Sequence, residues 1–120
     1  MITEAGLIGK IGFNSDGVGV CLNAIKAKGI DMQRIPVHLG LRLALECRTA
    51  LEAIQQLERF GVASSAHILI ADPKIAIGVE VSSTTIEKLR CDAQGRLSHT
   101  NHFKLKHLGV VHAHLLEDSE

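Results

Sequence analysis

Residues 3–25 read TEAGLIGKIGFNSDGVGVCLNAI, and this stretch decides the fold because it holds two apolar runs joined by a turn. The turn is NSDG at residues 14–17, where Asn, Asp and Gly tolerate the left-handed backbone conformations that a tight turn needs. The stretch therefore predicts a β-hairpin. Glycines in its arms weaken a strand and leave no side chain to pack, so we expect bulges or the close approach of another layer at four positions: Gly6, Gly9, Gly12 and Gly19.

Two short helices are predicted after a polar connector that follows the hairpin. The first begins at Pro36, since proline is tolerated in the first helical turn. The second covers Ala50–Phe60, where Thr49 and Glu52 form a capping-box pattern and Gly61 ends the helix. Two short helices joined this tightly should pack against one face of a sheet. The apolar stripe of the second helix is predicted to hold Leu51, Ile54, Leu57 and Phe60.

The second half of the chain is rich in strand patterns. Residues 65–71 form a continuous apolar run, and residues 75–82 alternate between apolar and other side chains with a period of two. Short turns lead to two further predicted strands at residues 85–91 and 96–102. We therefore expect a four-stranded antiparallel meander. Strands, two helices and then more strands predict an α+β layered domain.

The composition disfavours several classes of partner. Of the 120 residues 46% are apolar, but three Phe are the only aromatic residues, which disfavours a surface for stacking bases or sugars. Thirteen Lys and Arg balance 13 Asp and Glu without a basic stripe, so we expect no nucleic-acid partner. The sequence has no apolar run of membrane-spanning length and no signal-peptide pattern. We therefore expect no membrane association and a cytoplasmic location.

Cysteine spacing gives no sign of a disulfide framework or a CxxC motif. Cys21, Cys47 and Cys91 are far apart and odd in number, so we expect reduced thiols that serve as small core residues.

Histidine spacing does not indicate a metal site. His99 and His102 are three apart on a predicted strand and would point to opposite faces. His112 and His114 have no clear third ligand near them. We expect neither a metal nor a bound cofactor.

Four stretches resemble, in order and spacing, segments of one enzyme family, the acyl-coenzyme A:6-aminopenicillanic acid acyltransferases, also called isopenicillin-N acyltransferases. They are TEAGLIGKIGFNS at 3–15 with Asn23-Ala24 after it, PVHLGLRLALE at 36–46, ASSA at 63–66 and GRLSHTNH at 95–102. The resemblance implies an N-terminal-nucleophile hydrolase fold, a four-layer αββα sandwich of which this chain would supply part. It covers residues 2–103, so we expect a partial domain at 1–103 and a divergent tail at 104–120.

The same resemblance implies two site residues. Ser82 matches a serine that the family places in its active site, and Asn101 matches the asparagine that supplies an oxyanion-hole donor. A neutral amide can stabilise a developing oxyanion without titrating. In the predicted meander the ends of alternate strands share one rim, so both residues should lie there. From the residues alone, the alternative is that they satisfy backbone groups at strand ends and turns.

The family's nucleophile is a cysteine freed by self-cleavage, and it lies upstream of the matched stretches, where this sequence has no counterpart. The resemblance therefore implies a fragment of a cysteine-type acyltransferase or amidohydrolase. Its substrate would be a small acyl compound with an amide or a coenzyme A thioester bond, the thioester being substrate rather than cofactor. Because the chain lacks that cysteine, we expect it to be inactive by itself.

Two kinds of partner and one alternative function follow from this interpretation. The expected partner is an upstream polypeptide that carries the N-terminal cysteine, or further copies of the chain that associate through uncovered sheet surface. The alternative function is a non-catalytic α/β module that keeps the fold and serves in assembly or binding.

Overall fold

A computed structural model describes residue 5 and residues 10–107 of the chain. Within these residues the predicted α+β fold is confirmed: a five-stranded antiparallel sheet, with its strands in sequence order, carries two helices on one face. Neither of these two helices is long and apolar enough to cross a membrane. The strands are β1 Gly12–Phe13, β2 Gly19–Ala24, β3 Ala66–Ala71, β4 Ala76–Val81 and β5 Ile86–Arg90, and the helices are α1 Val37–Leu45 and α2 Ala50–Phe60.

The predicted hairpin is confirmed, and the side chain of Asn14 holds its turn together. The Oδ1 atom accepts hydrogen bonds from the backbone N–H groups of Asp16 and Val18, both at 3.0 Å. The Nδ2 atom donates to the carbonyl oxygens of Leu45 and Cys47, at 2.9 and 2.7 Å. Asn14 therefore satisfies backbone N–H groups of the hairpin turn and also fixes the hairpin to the end of α1.

The glycines of the hairpin have a simpler explanation than the one expected. The β1–β2 pairing has no bulge at Gly12 or Gly19, and a Cβ atom at Gly19 would make only ordinary van der Waals contacts. Gly17 in the turn and Gly12 in β1 are the positions that need glycine, because their φ values of 89° and 147° lie in the positive range that other residues rarely adopt. Gly6 and Gly9 lie outside the described residues.

The helix boundaries follow the predicted capping signals. Pro36 stands at the N-cap of α1, one residue before its first turn. Thr49 caps α2, where its Oγ1 accepts from the N–H of Glu52 at 3.1 Å, and Glu52 in turn accepts from the N–H of Arg48 at 3.0 Å. Gly61 ends α2 at a φ of 69°.

The predicted stripe of α2 is wrong at two of its four positions. Leu51 and Phe60 are 56% and 46% exposed. Two alanines take their places, because small side chains let the helix approach the sheet closely. The buried stripe keeps the three-to-four-residue spacing of an amphipathic helix and consists of Ala50, Ala53, Ile54 and Leu57.

The predicted strand at residues 96–102 is also wrong. These residues are irregular, and β5 forms the edge of the sheet on that side. Residues 97–107, which we call the cover segment, pack instead on the sheet face opposite the helices, where the His99 ring stacks on His67 of β3. A polar side chain and a backbone N–H group of this segment donate hydrogen bonds to Glu80 of β4 rather than to the edge of β5.

The predicted boundary at residue 103 stays a prediction. In the described part of the tail, the backbone N–H groups of Lys104 and Leu105 donate to Glu80, and His107 is buried. Residues 108–120 lie outside the description.

The two faces of the sheet differ in chemistry because side chains alternate along each strand. The helix side is an apolar core that includes Val20, Ile68, Ile70, Val79 and Val81. On the opposite side, which we call the open face, the register aligns one polar row across β2 to β5: Asn23, His67, Glu80 and Glu87. Polar groups in the middle of a sheet need partners when they are buried, and the cover segment supplies partners to Glu80 of this row.

Thr49→Ala should lower the free energy of unfolding by about 1 kcal/mol, because the N–H of Glu52 loses its acceptor at the start of α2. Thr49→Ser keeps the hydroxyl and should remain close to the original chain. Urea denaturation followed by far-UV circular dichroism measures both variants. Equal losses in the two would show that the hydroxyl does not stabilise the helix.

Candidate functional site

The centre of the open face is the side chain of Glu80, which is 0% exposed. Its Oε1 accepts from the Nε2 of His99 and the backbone N–H of Lys104, both at 2.6 Å. Its Oε2 accepts from the backbone N–H of Leu105 at 2.9 Å and the Nε2 of His107 at 3.0 Å. Burial by itself would raise the pKa of Glu80, but these hydrogen bonds outweigh burial and hold the pKa below its ordinary value. The buried group is therefore a carboxylate with both oxygens satisfied.

A chain of hydrogen bonds connects this carboxylate to Ser82. The Nε2 of His107 donates to Glu80, and its Nδ1 lies 2.7 Å from the Oγ1 of Thr85. The Oγ1 of Thr85 lies 2.6 Å from the Oγ of Ser82. The turn after β4 and the end of the cover segment are thus coupled through polar atoms.

Ser82 is buried and its hydroxyl oxygen is engaged by the turn in which it stands. It accepts from the backbone N–H groups of Thr84 at 3.2 Å and Thr85 at 2.9 Å, besides its contact with the Thr85 hydroxyl. These are the contacts of a serine that satisfies backbone groups at a strand end. Its active-site role stays a prediction.

Asn101 lies at the end of the open face, where its Nδ2 donates to the carbonyl oxygen of Ala24 at 2.8 Å. Ala24 is the last residue of β2 and pairs with Ala66, which pairs in turn with Val81, the residue before Ser82. The two predicted site residues therefore share one end of the sheet. Two strand spacings, about 10 Å, separate Ala24, to which Asn101 bonds, from the end of β4, where Ser82 stands.

The shared rim was predicted for a reason that the structure does not support. Asn101 reaches this end because the cover segment folds back over the sheet, whereas the prediction placed it at the end of a strand. His102, its neighbour, is exposed and bonds through Nδ1 to the hydroxyl of Thr100 at 2.8 Å. Because residues 96–102 do not form a strand, the expectation that His99 and His102 point to opposite faces of a strand does not apply.

His67 lies beside Glu80 on the open face as a neutral, buried imidazole. Its Nδ1 is 3.1 Å from the Oδ1 of Asn23, and an amide oxygen only accepts, so Nδ1 carries the proton. Its Nε2 is buried with no hydrogen-bond partner among the described residues. Burial first, and then the stacked ring of His99 at a centroid distance of 3.8 Å, lower the pKa of His67 to about 4.

Gly78 makes room for this ring. A Cβ atom at that position would lie 2.5 Å from the Nε2 of His67, closer than real contacts allow. The space above Gly78 is therefore what lets the imidazole lie flat between the sheet and His99.

The central residues of this cluster were not among the predicted site residues. A signal for one of them was present, because Glu80 is the only charged residue in an otherwise apolar strand. Its partners carried no signal, since nothing in the chain marks a histidine 19 or 27 positions away as a neighbour. The residues missed are His67, Glu80, Thr85 and His107.

The cysteines do not lie near Asn101. Cys21 is exposed on the open face of β2, three residues from Ala24, so its prediction as a core residue is wrong. Cys47 is buried, and burial, followed by the charges of neighbouring glutamates, raises its thiol pKa. Cys91 donates to the carbonyl of Ala76, near the opposite end of the sheet, at 3.5 Å. No disulfide joins these three cysteines, all of which lie in the described part of the chain.

Metal binding was not expected, and residues 10–107 contain no group of three or more His, Cys, Asp or Glu side chains arranged to hold a metal ion. His112 and His114, the other pair that the sequence raised, lie outside the described residues.

An apolar groove of about 440 Å³ lies at the other end of the open face. The hairpin contributes Phe13, which is 80% exposed, and Ile11, which is 47% exposed. Cys21 and Leu69 form its floor from β2 and β3. The cover segment is not among the residues that line this groove, so apolar sheet surface stays accessible here.

Two comparisons with known proteins agree. The sequence profile of the family described as "Acyl-coenzyme A:6-aminopenicillanic acid acyl-transferase" matches residues 1–120, including the tail at 104–120. A similar protein is the "Acyl-coenzyme A:6-aminopenicillanic-acid-acyltransferase 40 kDa form" of Emericella nidulans, which is 44% identical over 108 residues. That match covers 89% of this chain and 30% of the relative, so the chain spans less than a third of that protein's length.

Lowering the pH from 6.5 to 4 should destabilise the chain through His67. Its pKa is about 4 in the native protein and about 6.5 when unfolded, so the unfolded chain binds more protons in this window. The stabilisation is complete above pH 6.5 and is lost as the pH falls toward 4. The groups that face His67 are Asn23, Glu80, His99 and Lys104, and Glu80 adds its own loss at lower pH, since its pKa is also lowered.

The measurement is the thermal unfolding midpoint between pH 7.5 and pH 4.5. His67→Phe keeps a flat ring against His99 but cannot titrate, so its midpoint should change much less over this range. If the unfolding midpoint of His67→Phe falls with pH as steeply as that of the original chain, another group is responsible.

Proposed function

Because the chain belongs to the acyl-coenzyme A:6-aminopenicillanic acid acyltransferase family, we propose that it supplies the oxyanion-stabilising side of an acyl-transfer centre. The observation that carries this proposal is the anchored amide of Asn101 at the end of the open face. The chain covers 30% of its relative's length, and the remaining parts of the centre are proposed to lie on other segments of the protein.

The geometry of Asn101 supports a donor role. One hydrogen of its Nδ2 is directed to the carbonyl of Ala24, which fixes the plane of the amide. The other hydrogen has no partner within residues 10–107, and the residue is exposed. An oriented and neutral N–H that faces solvent is preorganised for a charge that develops only during the reaction.

In the proposed reaction, a cysteine thiolate attacks the carbonyl carbon of an amide or a coenzyme A thioester. The carbonyl oxygen gains negative charge and accepts the N–H of Asn101. Collapse of this intermediate breaks the C–N or C–S bond, the departing amine or thiol takes the proton that the cysteine thiol lost when the thiolate formed, and an acyl-cysteine remains. The acyl group then passes to an amine or to water, which returns the thiol.

The nucleophile is proposed to be a cysteine on an upstream polypeptide, because the three thiols of this chain are poorly placed. Cys21 is about 10 Å from Ala24 along β2. Cys47 is buried with a raised pKa, which reduces the thiolate fraction that could attack. Cys91 is bonded to a carbonyl near the opposite end of the sheet.

Ser82 is the second proposed site residue. Its contacts favour a structural role beside the proposed centre over a role as a reacting group. Its buried hydroxyl oxygen accepts two backbone N–H groups and contacts Thr85, so it fixes the turn beside the proposed centre. Loss of the hydroxyl would release these groups at the same end of the sheet as Asn101.

Asn101→Ala is expected to keep the fold and lower turnover by about 100- to 1,000-fold, or roughly 3 to 4 kcal/mol, once the upstream cysteine segment is restored by co-expression. Substrate binding should weaken far less, because the amide acts on charge that exists only in the transition state. Asn101→Asp should be at least as damaging, since a carboxylate repels the oxyanion. Acyl transfer assayed with a coenzyme A thioester gives kcat and KM separately.

The matched control is His102→Ala, which removes an exposed neighbouring side chain bonded only to Thr100 among the described residues. Its effect on turnover should be small. Near-normal turnover in Asn101→Ala together with loss in His102→Ala would overturn the role given to Asn101. No turnover in any complemented protein would favour the alternative, a module for assembly or binding.

Self-association through the apolar groove is expected of the isolated chain, because exposed apolar surface drives association. Phe13→Ser should raise the dissociation constant of self-association by about tenfold or more, since an aromatic side chain this exposed contributes much of the contact area. Leu51→Ser, at an exposed leucine on α2, is the control. Sedimentation equilibrium measures all three proteins, and a monomer at every concentration of the original chain would contradict the expectation.

A further inference from the structure

We propose that Glu80 is the positioning residue of this site: its buried carboxylate sets the path of the cover segment and thereby aims the amide of Asn101. The inference rests on the proposed function for the role of Asn101, but the placement of the segment can be tested without it.

Glu80 forms hydrogen bonds with residues on both sides of Asn101 in the sequence. His99, two residues before it, and Lys104, three residues after it, both donate to the same oxygen, Oε1, at 2.6 Å. Residues 99–104 therefore form a loop whose two ends meet at one atom. A loop this short has few ways to close, so the position of the carboxylate determines where Asn101 can reach.

The loop spans the distance to β2 across the polar row of the open face. Glu80 on β4 pairs with His67 on β3, and His67 pairs with Asn23, the residue before Ala24. Asn101 bonds to Ala24 from a loop that is tied to Glu80, about two strand spacings or 10 Å away. The His67 ring fills the space beneath, stacked on His99.

The same carboxylate also orders the other proposed residue. His107 donates to Oε2, and through Thr85 it reaches the hydroxyl of Ser82. Both predicted site residues are therefore linked to Glu80 through the cover segment or the turn that it contacts.

A carboxylate is required here because every described partner is a donor. Two carboxylate oxygens accept four hydrogen bonds, whereas a glutamine offers one acceptor oxygen and directs its NH₂ group toward two of the donors. Glu80→Gln should therefore release the cover segment, although it has nearly the same shape. Glu80→Asp keeps the charge but withdraws it by one methylene, and should also release the segment.

The first experiment measures hydrogen exchange of the 120-residue chain by NMR. In Glu80→Gln the backbone amides of Lys104 and Leu105 and the side-chain amide of Asn101 should exchange about tenfold faster or more. The amides of β3 and of the β4 pairing should keep their protection. The control is Glu87→Gln, which changes the carboxylate opposite Glu80 on exposed β5 and should leave all of these rates unchanged.

If Glu80→Gln loses protection throughout the sheet, Glu80→Asp decides the question, since it retains a buried charge for the remaining donors. Faster exchange confined to the cover segment in either variant supports the proposal. If the backbone amides of Lys104 and Leu105 exchange as slowly in a folded Glu80 variant as in the original chain, the proposal is wrong.

The second experiment uses the complemented enzyme. Glu80→Gln should lower kcat by about tenfold or more with little change in KM, and adding it to Asn101→Ala should cause a much smaller further loss than it causes alone, because Glu80 acts mainly through Asn101. Losses that multiply would overturn positioning through Asn101. If Asn101→Ala itself is fully active, the proposed function fails, while the exchange experiment still decides whether Glu80 places the segment.

Discussion

One buried carboxylate, that of Glu80, determines the arrangement of the open face. A charge removed from water in the middle of a sheet is costly unless donors surround it. In this chain the donors are two imidazoles and two backbone N–H groups, and all four come from the cover segment. The segment consequently gives up pairing with the edge strand and lies over β3 and β4 instead.

The sheet separates two kinds of stabilisation. Its helix side is an apolar core of packed aliphatic side chains and small alanines, and α2 is capped by Thr49 and Gly61. Its open side combines a polar row near one end with an apolar groove near the other. Antiparallel sheets commonly have one apolar face on the core and one polar face. Here His67 and Glu80 of the polar row are buried, which sets this face apart from an ordinary solvated one.

Asn101 and Ser82 share an end of the sheet for reasons that differ between them. Ser82 is there because β4 ends there, and its contacts are those of a turn. Asn101 is there because a loop closed on Glu80 brings it across two strands. Position alone therefore does not make the two equivalent: the exposed amide is available for chemistry, whereas the buried hydroxyl is already engaged.

Local signals in the sequence determined the hairpin, the helix boundaries and the α+β class. These features depend on residues within about four positions of one another, such as the turn at Asn14, the cap at Thr49 and the glycine at position 61. The family resemblance of the ordered stretches also came from the sequence, and with it the prediction of Asn101 as a site residue.

Only the tertiary structure decided which polar groups meet. The partners of Glu80 are 19 to 27 residues away from it, and Asn101 is 77 residues away from Ala24. Such pairs depend on strand register and on the path of an irregular segment, which carries no periodic pattern. The exposure of Leu51 and Phe60 was decided in the same way, because the helix face that approaches the sheet depends on how closely alanines let it pack.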